Sequence, residues 1–375
     1  VSLVRAAVLS EMGLTAPYTT SRPLKIRTLE LDPPGPGELL VRVRAAGLCH
    51  SDLSVIDGSR PRVMPMVLGH EAAGEVLEVG ADVTGFTPGD HVVLAFVPVC
   101  GHCEPCRAGR SALCEPGAAA NGAGTLLSGE RRWHDPDRGG ELNHHLGVSA
   151  FAEQIVVSAR SAVKIQAELP FELAALFGCA VLTGAGAAVN ATHIGAGDSV
   201  AVFGLGGVGL AALLAAIDAG GQVIAVDRIP DKLTLATALG ATHTVPAGAG
   251  TVEAIRELTH GGAVHVIETV GSAAVLAQAY AATRRGGTTV TVGLPDPAQE
   301  LSISAVSLVT EERTLKGSYL GSCVPDRDIP RFIELYRAGR LPVQRLLTHR
   351  LSLDELNEGF DRLASGEAVR QVVVF

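Results

Sequence analysis

The chain reads as an α/β protein of two domains, a doubly wound parallel sheet preceded by a β-rich domain. Three observations predict this. At 375 residues it exceeds the ~100–200 residues of one ordinary domain. From Val4 to about Ile165, short alternating runs such as Leu39-Leu40-Val41-Arg42-Val43-Arg44 are separated by Gly/Pro clusters such as Pro33-Pro34-Gly35-Pro36-Gly37, which favours irregular β structure. After about Phe171 the composition turns rich in Ala, Gly and Val, and strand-like runs (Val200–Phe203, Val223–Val226, Val264–Ile267, Thr288–Val292) alternate with helical stretches, the pattern of a parallel doubly wound sheet. From about Ser322, charged helical segments around Ile329–Ala338 and Leu353–Ala364 precede a final strand, Gln371–Phe375. This tail is expected to return to the first domain, giving domains of 1–181 with 323–375, and 182–322.

Composition narrows the function classes. Hydrophobic residues make up 47% and charged residues 18%, with 44 glycines, values that disfavour disorder, coiled coil and a disulfide mini-scaffold. Thirty Lys/Arg against 39 Asp/Glu give a net charge of −9 with no basic run, so a nucleic-acid partner has no electrostatic footprint. Val1–Ala7 carries no secretory pattern, and a cytoplasmic location is expected. Val200–Ile217 is uncharged, but glycines at 204, 206, 207 and 209 break it into a strand, a tight turn and a buried helix rather than a membrane span. Glu115–His144 has no clear period and reads as a long excursion loop, either a pocket wall or a subunit contact.

Cysteines of a chain without an export signal are read first as thiolates. Cys100, Cys103, Cys106 and Cys114 form C-x2-C-x2-C-x7-C, with Gly101, Pro105 and Gly109 letting the backbone fold around one centre. Four thiolates suit a closed tetrahedral zinc site, structural because no position stays open. An iron–sulfur cluster is the alternative. The lobe spans about residues 98–116.

Gly204-Leu205-Gly206-Gly207-Val208-Gly209 follows the strand Val200–Phe203 and opens an Ala/Leu-rich helix, Leu210–Ile217. That context fits a dinucleotide fingerprint, with the pyrophosphate at a helix N-terminus. The next strand ends at Asp227, 18 residues beyond Gly209, where a carboxylate binds ribose hydroxyls and repels a 2′-phosphate, favouring NAD over NADP. Arg228 is a counter-signal.

Cys49 in Cys49-His50-Ser51-Asp52, His70 in Gly69-His70-Glu71-Ala72-Ala73-Gly74, and Cys179 are individually weak signals. Together with Gly74, Gly80 and Val83, His70 completes G-H-E-x2-G-x5-G-x2-V. Here the chain resembles the zinc-dependent medium-chain alcohol dehydrogenases, in their long, liver-type or class III-like form, over essentially its whole length. The resemblance implies a GroES-like catalytic domain and a Rossmann domain binding NAD. It implies a catalytic zinc on Cys49, His70 and Cys179 with a fourth position open, where the metal acts as a Lewis acid on an alcohol. It also implies Ser51 as first proton acceptor, Asp52 behind the His70 imidazole, and Glu71 as a carboxylate behind the metal, or else a buried ion-pair partner. His50, Lys232, Val292 and Arg370 correspond to cofactor-binding positions, Arg370 to a pyrophosphate contact or else an exposed charge. Phe96, His145 and Leu146 correspond to the substrate wall, and Arg60 to the pocket mouth or to solvent. Homodimers form in this family by strand pairing at the sheet edge of the nucleotide domain.

The chain departs from the family at several positions. Ser54 stands where liver-type enzymes end their proton relay in a histidine, so the relay is shortened or finishes through water. His50 stands where several relatives have arginine, and Glu115-Pro116-Gly117-Ala118 lacks the arginine of glutathione-dependent formaldehyde dehydrogenases. The expected activity is reversible hydride transfer between an alcohol, possibly aromatic or polar-ended, and NAD. A thiol-adduct dehydrogenase and a non-catalytic zinc- and nucleotide-binding protein are the alternatives.

Overall fold

The computed structural model describes residues 1–375. The chain divides into two compact units, one of Val1–Cys179, Val324–Pro330 and Leu347–Phe375, the other of Ala180–Cys323 and Arg331–Leu346. The tail thus does not return whole to the first unit, as the sequence reading expects. Arg331–Leu346 groups with the second unit, where Arg340 Nε donates to Asp218 at 2.7 Å and Arg345 donates to the Ala238 carbonyl at 2.9 Å. Leu341, Val343 and Leu346 are fully buried there.

In the first unit a seven-stranded sheet runs Ala162–Ile165, His91–Leu94, Glu71–Val79, Glu38–Gly47, Arg370–Val374 and Leu347–Leu351, with Gln154–Ser158 also on Glu38–Gly47. The alternation read at 39–44 has its expected basis, since Val41 and Val43 are buried while Arg42 faces solvent. A closed barrel joins Ser2–Leu9, Leu24–Leu31, Trp133–His134, Glu141–His144 and Met66–Val67. Apolar side chains between these layers, including Leu9, Leu29, Trp133, Phe151 and Phe360, make its core.

Glu115–His144, expected as a loop, is a helix (Glu115–Ala123) followed by two of the barrel strands. Its period escapes notice because the helix is short and buries only Gly117, Ala120 and Asn121, none of which marks an apolar stripe. Cys114 Sγ accepts the Gly117 N–H at the helix start, and Gly124, at φ 70°, ends it in the left-handed region.

The second unit holds six parallel strands in the order His243–Pro246, Gln222–Asp227, Ser199–Phe203, Ala263–Glu268, Thr283–Thr291 and Thr314–Gly317. The order reverses between Ser199–Phe203 and Ala263–Glu268, so the crevice beyond the carboxyl ends of those two strands is where a doubly wound sheet takes its ligand. The apolar run from Val200 is resolved into a strand, a turn and the helix Gly207–Asp218, whose Leu210–Leu213 are fully buried. No single helix is long and apolar enough to cross a membrane.

Candidate active site and nucleotide turn

Strand register assembles the centre of the first unit. Gly47 at the end of Glu38–Gly47 stands opposite Glu71, and opposite Val372 on its other side. Cys49 lies two residues past that strand as the cap of the helix His50–Ile56, His70 directly precedes Glu71–Val79, and Arg370 opens Arg370–Val374. Small residues make the approach possible. A Cβ on Gly47 would sit 2.5 Å from Glu71 Oε1, and one on Gly69, at φ 94°, would sit 2.6 Å from the Phe151 nitrogen. Cys179 follows a turn of 3-10 helix at Ala175–Gly178.

One ligand atom from each of Cys49, His70, Glu71 and Cys179 lies within 4.8 Å of all the others, and all four residues are buried. Buried and without a partner, His70 Nε2 and Glu71 Oε1 are polar atoms that a bound cation would satisfy. The opposite ring nitrogen, His70 Nδ1, lies 3.0 Å from Asp52 Oδ1, the arrangement that sets which nitrogen faces a metal. A hydrogen bond from Cys179 is the main cause that pushes the Cys49 thiol well down, with the His70 ring adding to it. The Cys179 thiol is pushed up by that same bond and by burial. Burial works against a charged His70, but Asp52 and Cys49 outweigh it and raise the imidazole. A thiolate–imidazole set of this kind, His in its fixed tautomer, fits the Cys2His donor set of zinc.

Glu71, expected behind a metal or else in a buried ion pair, is in the ion pair. It belongs to the donor cluster, and it forms an ion pair with Arg370, with the two side chains 0% and 4% exposed. Burial raises the Glu71 carboxyl despite Arg370. Arg370 is therefore no exposed charge.

His145, expected in the substrate wall, is 1% exposed and lies with Nε2 3.2 Å from Asp52 Oδ1, beside His70. Its ring meets the His70 ring edge-on at 5.6 Å, and Phe96 does the same from another side at 5.5 Å. Leu146 is buried at φ 52°. Arg60 is half-buried; the charges acting on His145 are chiefly those of Asp52 and His70, with a smaller one from Arg62, whose Nε is buried without a partner. Sequence reasoning passed over Arg62, although a second arginine two residues on was visible. Ser51 is half-buried in the first turn of its helix, and His50 is exposed. Ser54 Oγ donates to the His50 carbonyl at 2.8 Å, a bond within the helix.

The four-cysteine lobe also converges. Its sulfurs lie within 4.8 Å of one another, with Cys100 and Cys106 at 3.9 Å, against the ~3.8 Å between tetrahedral sulfurs bound to zinc at ~2.3 Å. Burial opposes ionisation of Cys100, but the His102 and Cys103 N–H groups overcome it and bring its pKa to about 7, whereas burial and Cys103 push Cys106 to about 12. No cysteine of the chain is in a disulfide.

In the second unit the glycine turn lies at the sheet's reversal point. Gly204 has φ 88°, and a Cβ on Gly209 would lie 1.8 Å from the Gly204 carbonyl oxygen, so both glycines are required by the turn itself. A Cβ on Gly206 would meet nothing within 4 Å. That opening, at the cap of Gly207–Asp218, leaves a close approach for an anion to the helix N–H groups. Gly207 is buried and Val208 half-buried. Asp227 Oδ2 accepts from Leu205 N at 2.7 Å and Oδ1 from Ile229 N at 2.9 Å, which fixes the carboxylate beside the turn. Burial lowers the Lys232 ammonium against the pull of Asp227, Arg228 is exposed, and Val292 is half-buried. Two supports went unread in the sequence. Thr269 Oγ1 donates to the Phe203 and Gly204 carbonyls at 2.9 Å, and Glu268 Oε1 accepts from Val270 and Gly271 N–H groups at 2.7 Å. Their position at the carboxyl end of the strand next to Ser199–Phe203 was the available signal.

Comparison with known proteins places this architecture. Residues 35–167 match the family model of the alcohol dehydrogenase GroES-like domain, and residues 207–338 that of the zinc-binding dehydrogenases. The NDMA-dependent alcohol dehydrogenase of Amycolatopsis methanolica is 40% identical over 363 residues, 95% of this chain and 97% of that one. An S-(hydroxymethyl)glutathione dehydrogenase of Escherichia coli is 37% identical over 362 residues, again 95% and 97%. The crystal structure of benzyl alcohol dehydrogenase from Acinetobacter calcoaceticus superposes with a TM-score of 0.92 at 32% identity, covering 100% of both chains. Family models and relatives agree, and the chain belongs to the zinc-dependent medium-chain alcohol dehydrogenase family.

Proposed function

We propose that the protein is an NAD-dependent alcohol dehydrogenase carrying two zinc ions, one structural and one catalytic. The observation that carries this reading is the buried cluster of Cys49, His70, Glu71 and Cys179, with His70 Nδ1 tied to Asp52 and Nε2 left for a metal. Cys49, His70 and Cys179 would hold the catalytic ion, and Cys100, Cys103, Cys106 and Cys114 the structural one. When bound, zinc supplies Lewis acidity toward the alcohol oxygen and NAD supplies the hydride acceptor.

The chain's own groups do the rest. Ser51, two residues from a ligand, takes up the alcohol proton at Oγ. Ser54 holds its hydroxyl on the His50 carbonyl and has no basic nitrogen to continue the relay, so the proton leaves through water. Phe96 and Leu146 present apolar surface to the substrate carbon chain. Arg62, or Arg60 beside it, favours a substrate with a polar or acidic end. Gly204, Gly206, Gly207, Val208 and Gly209 admit the pyrophosphate, Asp227 binds the adenosine ribose hydroxyls, Lys232 and Arg228 flank that ribose, and His50, Val292 and Arg370 complete the cofactor contacts.

The likeness to benzyl alcohol dehydrogenase favours aromatic alcohols. A second reading, a thiol-adduct dehydrogenase, is favoured by the 37% identity to an S-(hydroxymethyl)glutathione dehydrogenase; Glu115–Ala123, without an arginine, speaks against glutathione as the thiol. Homodimerisation through Thr314–Gly317 is part of the proposal, since that strand has a neighbour on one side only and exposed Val306 and Val309 lie on the preceding helix. Seven cysteines, none of them in a disulfide, favour a reducing, cytoplasmic setting.

The test is NADH formation across linear, branched, aromatic and acid-bearing alcohols and S-hydroxymethyl thiols, repeated with NADP and with a chelator. Chelator-sensitive turnover with NAD is expected. Silence across the panel in protein shown by elemental analysis to hold zinc would overturn the reading in favour of a non-catalytic one.

A further inference from the structure

Asp52 is fully buried, and a single one of its oxygens, Oδ1, faces two imidazoles: His70 Nδ1 at 3.0 Å and His145 Nε2 at 3.2 Å. Carboxylates only accept, so both nitrogens carry protons when these contacts form hydrogen bonds. The His145 contact is within reach but not aligned, and both its ring nitrogens are buried without a hydrogen-bond partner. A buried donor left unpaired is costly, and Asp52 Oδ1 is an acceptor within range.

The backbone holds this histidine firmly. His145 N donates to Ser149 Oγ at 2.9 Å, while Val148 and Ser149 donate back to the His145 carbonyl at 3.0 and 3.2 Å. The ring so fixed packs edge-on against His70, which Phe96 also meets edge-on.

We propose that His145 is a positioning residue for the metal site: by donating Nε2–H to Asp52 Oδ1 it pins the carboxylate that orients His70. The inference rests on the reading of His70 as a metal ligand. Asp52 Oδ2 has no partner, so the side-chain contacts that fix the carboxylate are those of Oδ1 with the two imidazoles.

The test replaces the catalytic ion with cobalt in the full-length protein and compares wild type, His145→Phe and His145→Gln by the visible d–d spectrum and by competition with a chelator. Phe keeps the ring packing and removes the donor; Gln restores an N–H near the Nε2 position. A loss of metal affinity on the order of tenfold and a displaced spectrum are expected for His145→Phe, with His145→Gln close to wild type. Unchanged affinity and spectrum in His145→Phe would overturn the proposal, as would a His145→Gln that behaves like Phe. If His145→Phe does not fold, nitrogen NMR of histidine-labelled wild type decides: a protected Nε2–H on His145 is required, and its absence overturns the inference. Should wild type take up only the lobe's ion, the metal-site reading fails, whereas a metal-loaded wild type with insensitive His145 variants defeats this inference alone.

Discussion

Replacing Arg370 by Gln should destabilise the protein far more than an ordinary surface change. The guanidinium is 4% exposed and its partner Glu71 is 0% exposed, so the variant leaves a carboxylate buried without its counter-charge and next to the Cys49 and Cys179 thiols. Breaking one side of a buried pair costs about 3–5 kcal/mol. For a unit of ~150–250 residues each kcal/mol moves the melting temperature by ~2–4 °C, so a fall of ~6–20 °C is expected. The assay is a thermal melt of zinc-loaded and chelator-treated protein. Glu71→Gln combined with Arg370→Gln removes both charges and should recover more than half of the loss, because amides of similar size can bond each other. A single variant melting within ~2 °C of wild type, or a double variant no better than the single, would refute the reasoning that the charge pair rather than the side-chain volume is what matters.

Other predictions concern different parts of the chain. His144 is fully buried, and burial, with Arg131 and Arg132 nearby, takes its pKa to about 3. The unfolded chain binds that proton at ~6.5, so this contribution to stability is intact above that pH and is lost toward about 3 at up to ~1.4 kcal/mol per pH unit. Urea midpoints of wild type and His144→Gln between pH 7 and 4 should show the shallower slope in the variant; parallel slopes would contradict it. Asp227→Ser should raise kcat/KM for NADP by on the order of tenfold or more by removing a charge that opposes a 2′-phosphate, and steady-state kinetics with both cofactors would expose a failure. Cys106→Ser should leave one tightly held zinc per chain by elemental analysis, against two in wild type; two retained ions would show that the lobe does not depend on that ligand. Gly209→Ala should abolish measurable NAD binding by calorimetry, since its Cβ would lie 1.8 Å from the Gly204 oxygen.

Much of the architecture is legible in one dimension because it depends on local rules. The strand–turn–helix at 199–218 is readable from apolar runs and glycines, since a turn that tight excludes side chains whatever surrounds it. The cysteine lobe is readable because its ligands lie close in sequence, where spacing alone brings the sulfurs together. The donors Cys49, His70 and Cys179 are far apart in sequence, and only the G-H-E pattern linked them before their meeting could be seen. Tertiary structure alone decided the rest. Glu115–His144 became a helix and barrel strands because its apolar residues find a core supplied by Ser2–Leu9 and Leu24–Leu31. Arg331–Leu346 joined the second unit through contacts with Asp218 and Ala238, more than 100 residues earlier. Arg370 met Glu71, and His145 met Asp52, through strand register and a fixed turn. Partners of this kind carry no local signal: a buried charge looks the same in sequence as an exposed one, and only the fold says which opposite group waits beside it.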